Sequence, residues 1–179
     1  RFGQSVEKPF LVSSMTAGHQ DGELINFNLA AACAQTGWAM GVGSQRRQLT
    51  DSNAAQEWQA IREHFPNVVF FANLGIAQII EYPVEDILPL IESLQAQALI
   101  IHCNPLQECI QPEGTTNFAN GIAKIVSLSH RLPVPVVVKE TGCGFSHNTL
   151  SALVNKGVAA VDVSGSGGTH WGRIEGHRA

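Results

Sequence analysis

The run ALIIHCNPLQECIQPEG, residues 98–114, passes directly from four apolar residues into His102, Asn104, Gln107 and Glu108. A short apolar run of this kind reads as a strand buried on both faces, as a parallel sheet covered by helices requires. Polar side chains crowded at its end then fall on the C-terminal edge of the sheet, where parallel α/β proteins carry their sites.

Five more segments share the pattern: FLVSSM (10–15), WAMGVG (38–43), VVFFANLG (68–75), PVVVKETG (135–142) and AAVDVSG (159–165). Between them lie stretches with apolar residues three and four apart: INFNLAAACAQTG, DSNAAQEWQAIREHF, VEDILPLIESLQA, FANGIAKIVSLSHRL and HNTLSALVNKG. Strand and helix patterns in alternation predict parallel βαβ units. Each strand pattern is followed by polar and glycine residues, in MTAGH, GSQRR, NLG, HCNPLQE, KETGCG and SGSGGTH. Any one such loop is also what an ordinary turn looks like. Six in succession argue for convergence on a site.

The chain has 179 residues, 44% of them hydrophobic and 15% charged, enough apolar content for one compact core and too little charge for a disordered tract. A net charge of −4 offers no basic field for nucleic acid or anionic lipid. No apolar run reaches the roughly 18–20 residues of a membrane helix, and RFGQSVEKPF lacks the apolar centre of a signal peptide, so a cytoplasmic location is expected. Cys33, Cys103, Cys109 and Cys143 contain no C-x-x-C pair and read as free, buried or half-buried thiols.

In this order along the chain, MTAGH, GSQRRQL, FANLG, IHCNPLQECIQPEG, VPVVVKETGCG and VDVSGSGGTHW resemble type 2 isopentenyl diphosphate isomerase. The H-x-N-x-x-Q-E run followed by PEG is the most specific part. The resemblance implies an α/β fold, a (βα)8 TIM-type barrel of which about six βα units are present here, forming a single incomplete domain over residues 1–179. It further implies FMN, reduced during turnover with NADPH as reductant, together with Mg2+. The reaction implied is interconversion of isopentenyl and dimethylallyl diphosphates by a homo-oligomer, a tetramer or an octamer. Eight strands make such a barrel and six patterns are counted, so the final units and a basic N-terminal segment of the family are expected to be missing. Much of the FMN phosphate site would go with them.

The residues bear on these expectations one at a time. His102 and Asn104 alternate along a strand and so project to one face, with Cys103 on the other. Lys139 follows the apolar VPVVV, where an ammonium needs an anionic or acceptor-rich partner. Glu140 or Asp162 in an internal salt bridge would serve. The resemblance instead sets Lys139 beside the flavin, where a cation stabilises the reduced anionic ring. It sets Met15, Thr16, Ser44 and Asn73 around that ring, and Ser164 and Thr169 toward the phosphate. Arg46, His102, Asn104, Gln107 and Thr141 would surround the substrate diphosphate, with Arg47 a solvated or structural charge. Glu108 is the first choice for Mg2+, which favours one or two carboxylates with phosphate oxygens, and Glu113 is the second. Gln107 is the catalytic candidate: an amide does not titrate near neutral pH, yet it can position a proton or the alkene beside the flavin.

Two other readings compete. One is a different FMN barrel, a 2-hydroxy-acid oxidase or a relative of inosine monophosphate dehydrogenase. These share the SGSGGT end but lack H-x-N-x-x-Q-E, and the second needs a nucleophilic cysteine in a glycine-rich loop, to which Cys143 in TGCG is the nearest approach. The other is a non-catalytic phosphate-binding barrel.

Overall fold

The computed structural model describes residues 8–165, 167 and 169–178. Residues 1–7, and Ser166 and Gly168 of the SGSGGT loop, lie outside the described residues. The six strands read from the sequence all form: β1 (Leu11–Val12), β2 (Ala39–Gly41), β3 (Phe70–Gly75), β4 (Ala98–Cys103), β5 (Val136–Glu140) and β6 (Ala160–Asp162). They lie side by side in chain order, and every neighbouring pair is parallel. The result is a curled, six-stranded portion of an α/β barrel.

Helices α1 (Gly22–Thr36), α2 (Asn53–His64), α4 (Val84–Leu94), α6 (Gly121–Arg131) and α7 (His147–Leu153) occupy the five segments of helical period. α4 shows why. Val84, Ile87, Leu90, Ile91 and Leu94 recur at helical spacing and all are buried, while Glu85 and Asp86 sit in the first turn, where the helix dipole favours negative charge. Ala54, Trp58 and Ile61 form the matching stripe of α2. These stripes pack on one face of the sheet against Phe70, Ala72, Leu74, Leu99, Ile101, Val136 and Val138. Among the described residues no helix is long and apolar enough to cross a membrane.

Three helices and a 3-10 turn fall where the sequence suggested only loops: α3 (Ile76–Glu81), α5 (Pro105–Ile110), α8 (Trp171–Arg178) and Gln45–Leu49. All are one to two turns long, too short for an apolar stripe to repeat. α5 begins immediately after β4 because Pro105 stands at its first turn, where a missing N–H costs nothing. Asn104 consequently leaves the strand. Its φ of −124° and ψ of 48° make it the cap residue of α5, not the last alternating strand residue expected beside His102.

The concave face of the sheet carries a smaller apolar cluster of Ala98, Ile100 and Val137, with Phe71 and Ala160 against it. Register sets Asn73, Ile100, Val137 and Ala160 in one row and Gly75, His102, Lys139 and Asp162 in the next. One step along the strands therefore changes the lining from apolar to ionic.

Near the other edge, Gly43 packs flat on the backbone of Thr16, and a Cβ there would run into the Thr16 carbonyl. Gly43→Ala is expected to lower stability by about 1–3 kcal/mol, as overpacking does. Gly22→Ala, with nothing within 4 Å, is the control expected to stay near wild type in the same thermal unfolding experiment.

Candidate functional site

At the C-terminal ends of β1 to β4 the structure opens a cleft of about 610 Å³. Eight of the candidate site residues line it, Thr16, Ser44, Arg46, His102, Asn104, Gln107, Glu108 and Glu113, as does Arg47. Thr141 lies close by, in a narrow crevice shared with Asn104 and Gln107. Met15 is half-exposed outside the cleft lining, and Ser164 and Thr169 are exposed on the β6 side.

The first turn of α5 organises one wall. Asn104 Nδ2 donates to Glu108 Oε1 at 2.9 Å and to Gln107 Oε1 at 3.3 Å. Glu108 Oε2 accepts from the Thr115 backbone N–H at 2.7 Å and from Gln111 at 3.1 Å, which draws the QPEG turn back over the helix. Gln107 Nε2 donates to Glu175 Oε1 at 3.1 Å, so its amide is held at both ends. Glu175, on α8, is buried and is itself held by Arg178, which also reaches Glu113. Gly172 permits this approach, since a Cβ there would stand 2.8 Å from Leu106 on α5. Sequence reading missed Glu175 because RIEGHR shows no apolar period and resembles a solvated end.

On the sheet, His102 Nδ1 meets Asn73 Oδ1 at 2.7 Å, and Asn73 Nδ2 donates to the Val42 carbonyl at 3.0 Å. Asn73 is thus committed to its neighbours and buried. Burial, and then the charges of Lys139 and Arg46, push the His102 pKa down to about 4. Lys139 is 6% exposed and pairs with Asp162 at 2.8 Å, the second of the two partners the sequence offered. Glu140 instead accepts from the backbone N–H groups of Gly142, Cys143 and Gly144 at 2.6–2.7 Å, pinning the TGCG loop. Burial and the Glu140 carboxylate push the Cys103 thiol up to about 12. All four cysteines are free, Cys33 buried and Cys103 half-buried as expected, but Cys109 and Cys143 are exposed. Arg47 is exposed and pairs with Asp51 and Glu57, as a structural charge.

The donor set can be tested against the groups the sequence resemblance implies. Asn26, buried on α1 at the cleft wall, donates from Nδ2 to the Thr16 carbonyl and has no donor for its Oδ1. An orphaned acceptor in the cleft suits a ligand carrying hydrogen-bond donors, as reduced FMN does; the buried Lys139 ammonium is outside the cleft lining and paired with Asp162. Among the described residues no cluster of three or more His, Cys, Asp and Glu could hold a metal. Glu108 alone suits a Mg2+ held mainly by phosphate oxygens and water.

A parallel βα sheet with its polar cleft at the strand C-termini defines the class: a portion of an α/β barrel. A solved structure of a dihydrodipicolinate synthase family protein from Coccidioides immitis superposes with a TM-score of 0.52 at 15% identity, covering 87% of this chain and 52% of its own, which speaks for the fold alone. No protein-family model matches the chain. Curated proteins named isopentenyl-diphosphate delta-isomerase do. That of Legionella pneumophila (strain Lens) is 65% identical over 179 residues, covering 100% of this chain and 52% of its own. Those of Bdellovibrio bacteriovorus and a Nostoc species are 54% and 44% identical, each covering 99% of this chain and 52% and 51% of their own. This chain is similar over essentially its whole length to proteins named isopentenyl-diphosphate delta-isomerase, and it spans about half the length of the curated relatives it matches.

Proposed function

We propose that this chain is part of a type 2, flavin-dependent isopentenyl diphosphate isomerase, a cytoplasmic homo-oligomer whose complete subunit is a (βα)8 barrel. The observation that carries the reading is the meeting of Arg46 with His102, Asn104, Gln107 and Glu108 in one cleft. A guanidinium and neutral hydrogen-bonding groups around a single carboxylate suit a diphosphate bridged to a hard cation.

Arg46 holds phosphate oxygens, and Asn104 and Thr141 add hydrogen-bonding capacity on the α5 side. Glu108 anchors the Mg2+ that neutralises the diphosphate. Gln107, fixed between Asn104 and Glu175, sets the alkene end of the substrate and keeps the moving proton on one path. Bound reduced FMN supplies the proton exchange at the allylic carbons. Lys139, paired with Asp162 in this structure, would be the residue to stabilise the negative charge of a bound reduced flavin. The apolar row of Ile100, Val137 and Ala160 beneath them keeps water from the prenyl chain.

The test is an anaerobic isomerase assay of the full-length protein with Mg2+ and chemically reduced FMN, after its absorbance spectrum has shown flavin bound. No interconversion at full flavin occupancy would reject the assignment. Lys139→Ala is expected to weaken binding of reduced FMN more than of oxidised FMN, because only the reduced anion gains strongly from the ammonium. Anaerobic titrations of both redox states decide this. Equal losses would make Lys139 a structural partner of Asp162 and nothing more.

A further inference from the structure

Asn73 sits one row below His102, and its amide has a fixed orientation. Nδ2 must face the Val42 carbonyl, so Oδ1 is the atom at His102 Nδ1. An amide oxygen only accepts, and therefore Nδ1 carries the hydrogen. The backbone beneath is tied down too: Asn73 N–H donates to Gln45 Oε1 at 3.0 Å, and buried Gln45 donates to the Leu90 carbonyl at 3.0 Å. In a neutral ring this tautomer leaves Nε2 as a lone-pair acceptor. Nε2 stands over Gly75, 3.0 Å from where a Cβ would be.

The ring is surrounded by groups that keep it neutral. Lys139 from β5 and Arg46 from the 3-10 turn are cations that oppose its protonation. Asp162 from β6 offsets Lys139 only in part, at 39% side-chain exposure. β3 and α3 contribute the uncharged Asn73 and Gln78, and the Glu108 carboxylate of α5 is turned toward Asn104, Gln111 and Thr115. A phosphate oxygen brought to Nε2 would set lone pair against lone pair. The two acceptors can meet only with a proton between them, and a polyanion beside Arg46 and Lys139 reverses the field that had excluded it.

We propose that Asn73 is a positioning residue that fixes His102 as an acceptor, so that a diphosphate enters this cleft together with one proton, held between Nε2 and a phosphate oxygen. The proton comes from water or from the ligand's own P–OH, and the only bond made is N–H. This rests on the diphosphate reading of the cleft.

Isothermal titration of isopentenyl diphosphate into the full-length protein, without metal and in buffers of different ionisation enthalpy, counts the protons taken up per ligand. At pH 7 the wild type is expected to take up close to one proton more than His102→Gln, whose amide still bonds but cannot titrate; proton exchange of the ligand itself is common to both and cancels. Asn73→Asp accepts the same Nδ1–H while favouring the imidazolium, so the free protein already binds part of the proton and the uptake should fall below that of the wild type. A residue that only supported the fold would leave this count unchanged. Equal counts in wild type and His102→Gln would overturn the proposal. Should either variant fail to fold or bind, the wild type decides alone: its Kd should rise by up to about tenfold per pH unit above neutrality, the slope of one linked proton, and a flat Kd would overturn it. No binding by the wild type, either without metal or with Mg2+ added, would instead reject the diphosphate reading.

Discussion

Gln107→Ala in the full-length protein is expected to lower kcat by about 10²- to 10⁴-fold, the range for a group that positions a transferred proton. Its dependence on Mg2+ should hardly change. Gln107 reaches no cation ligand directly: its amide runs from Asn104 to Glu175. Removing an interaction made mainly in the transition state lowers kcat and kcat/KM together. The adjacent Glu108→Gln should behave in the opposite way, raising the Mg2+ needed for half-maximal rate, with partial recovery at excess metal, because an amide is a weaker ligand for a hard dication. It also sets an NH2 where a carboxylate oxygen accepted from Asn104 or Thr115, so some loosening of the QPEG turn is expected. Glu175→Ala, which frees one end of the Gln107 amide, should lose less than Gln107→Ala and leave the metal dependence unchanged. Initial rates against Mg2+ and isopentenyl diphosphate, with flavin occupancy checked by absorbance, separate the three. Near-normal rates for both Gln107→Ala and Glu108→Gln at full occupancy would make the polar cluster after β4 structural and remove the most specific support for the isomerase assignment.

Arg62→Ala should be the most destabilising change outside the cleft, by about 3–4 kcal/mol. Arg62 is a buried cation on α2 whose role is to collect carbonyls. Nε donates to the Leu94 carbonyl at 2.7 Å, closing the end of α4, and Nη1 donates to the carbonyls of Pro66 at 2.9 Å and Val68 at 3.1 Å, just ahead of β3. Its guanidinium lies 4.6 Å from the centre of the Phe70 ring. Burial lowers its pKa, yet a guanidinium stays charged at neutral pH, so the carbonyl dipoles are what compensate it. Truncation leaves these acceptors without donors and opens a cavity over Phe70. Arg62→Lys should recover little, because a single ammonium cannot reach α4 and the segment before β3 at once. Denaturant unfolding of both variants measures this. A loss below about 1 kcal/mol would mean that water replaces the guanidinium at no real cost.

The same residue shows where sequence reading stopped. The apolar runs marked six strands and their parallel direction; in β3, β4 and β5 burial on both faces leaves little choice of side chain, and Phe70, Leu74, Leu99, Ile101, Val136 and Val138 are all but inaccessible, whereas β1 and β6 are more exposed than the sequence suggested. Polar residues after each run lie on the sheet edge where the cleft opens, and eight candidates line that cleft. Nothing in REH around Arg62 announces a buried cation, since its acceptors come from carbonyls, which every residue possesses.

What the sequence by itself determined, then, was the alternation of strands and helices, their parallel direction and the edge that carries the polar groups, all consequences of local hydrophobic pattern; the side-by-side order of the strands is a tertiary result. Partnerships were decided by tertiary structure. Register alone brings Lys139 beside Asp162 and turns Glu140 to its own loop, and it sets Asn73 below His102, which selects the imidazole tautomer. α8 reaches across 68 residues of chain to hold Gln107. The partnerships of Lys139, Asn73 and Gln107 are single contacts between distant segments. They leave no periodic trace in the sequence, because only the folding of the sheet and its helices brings their two ends within about 3 Å.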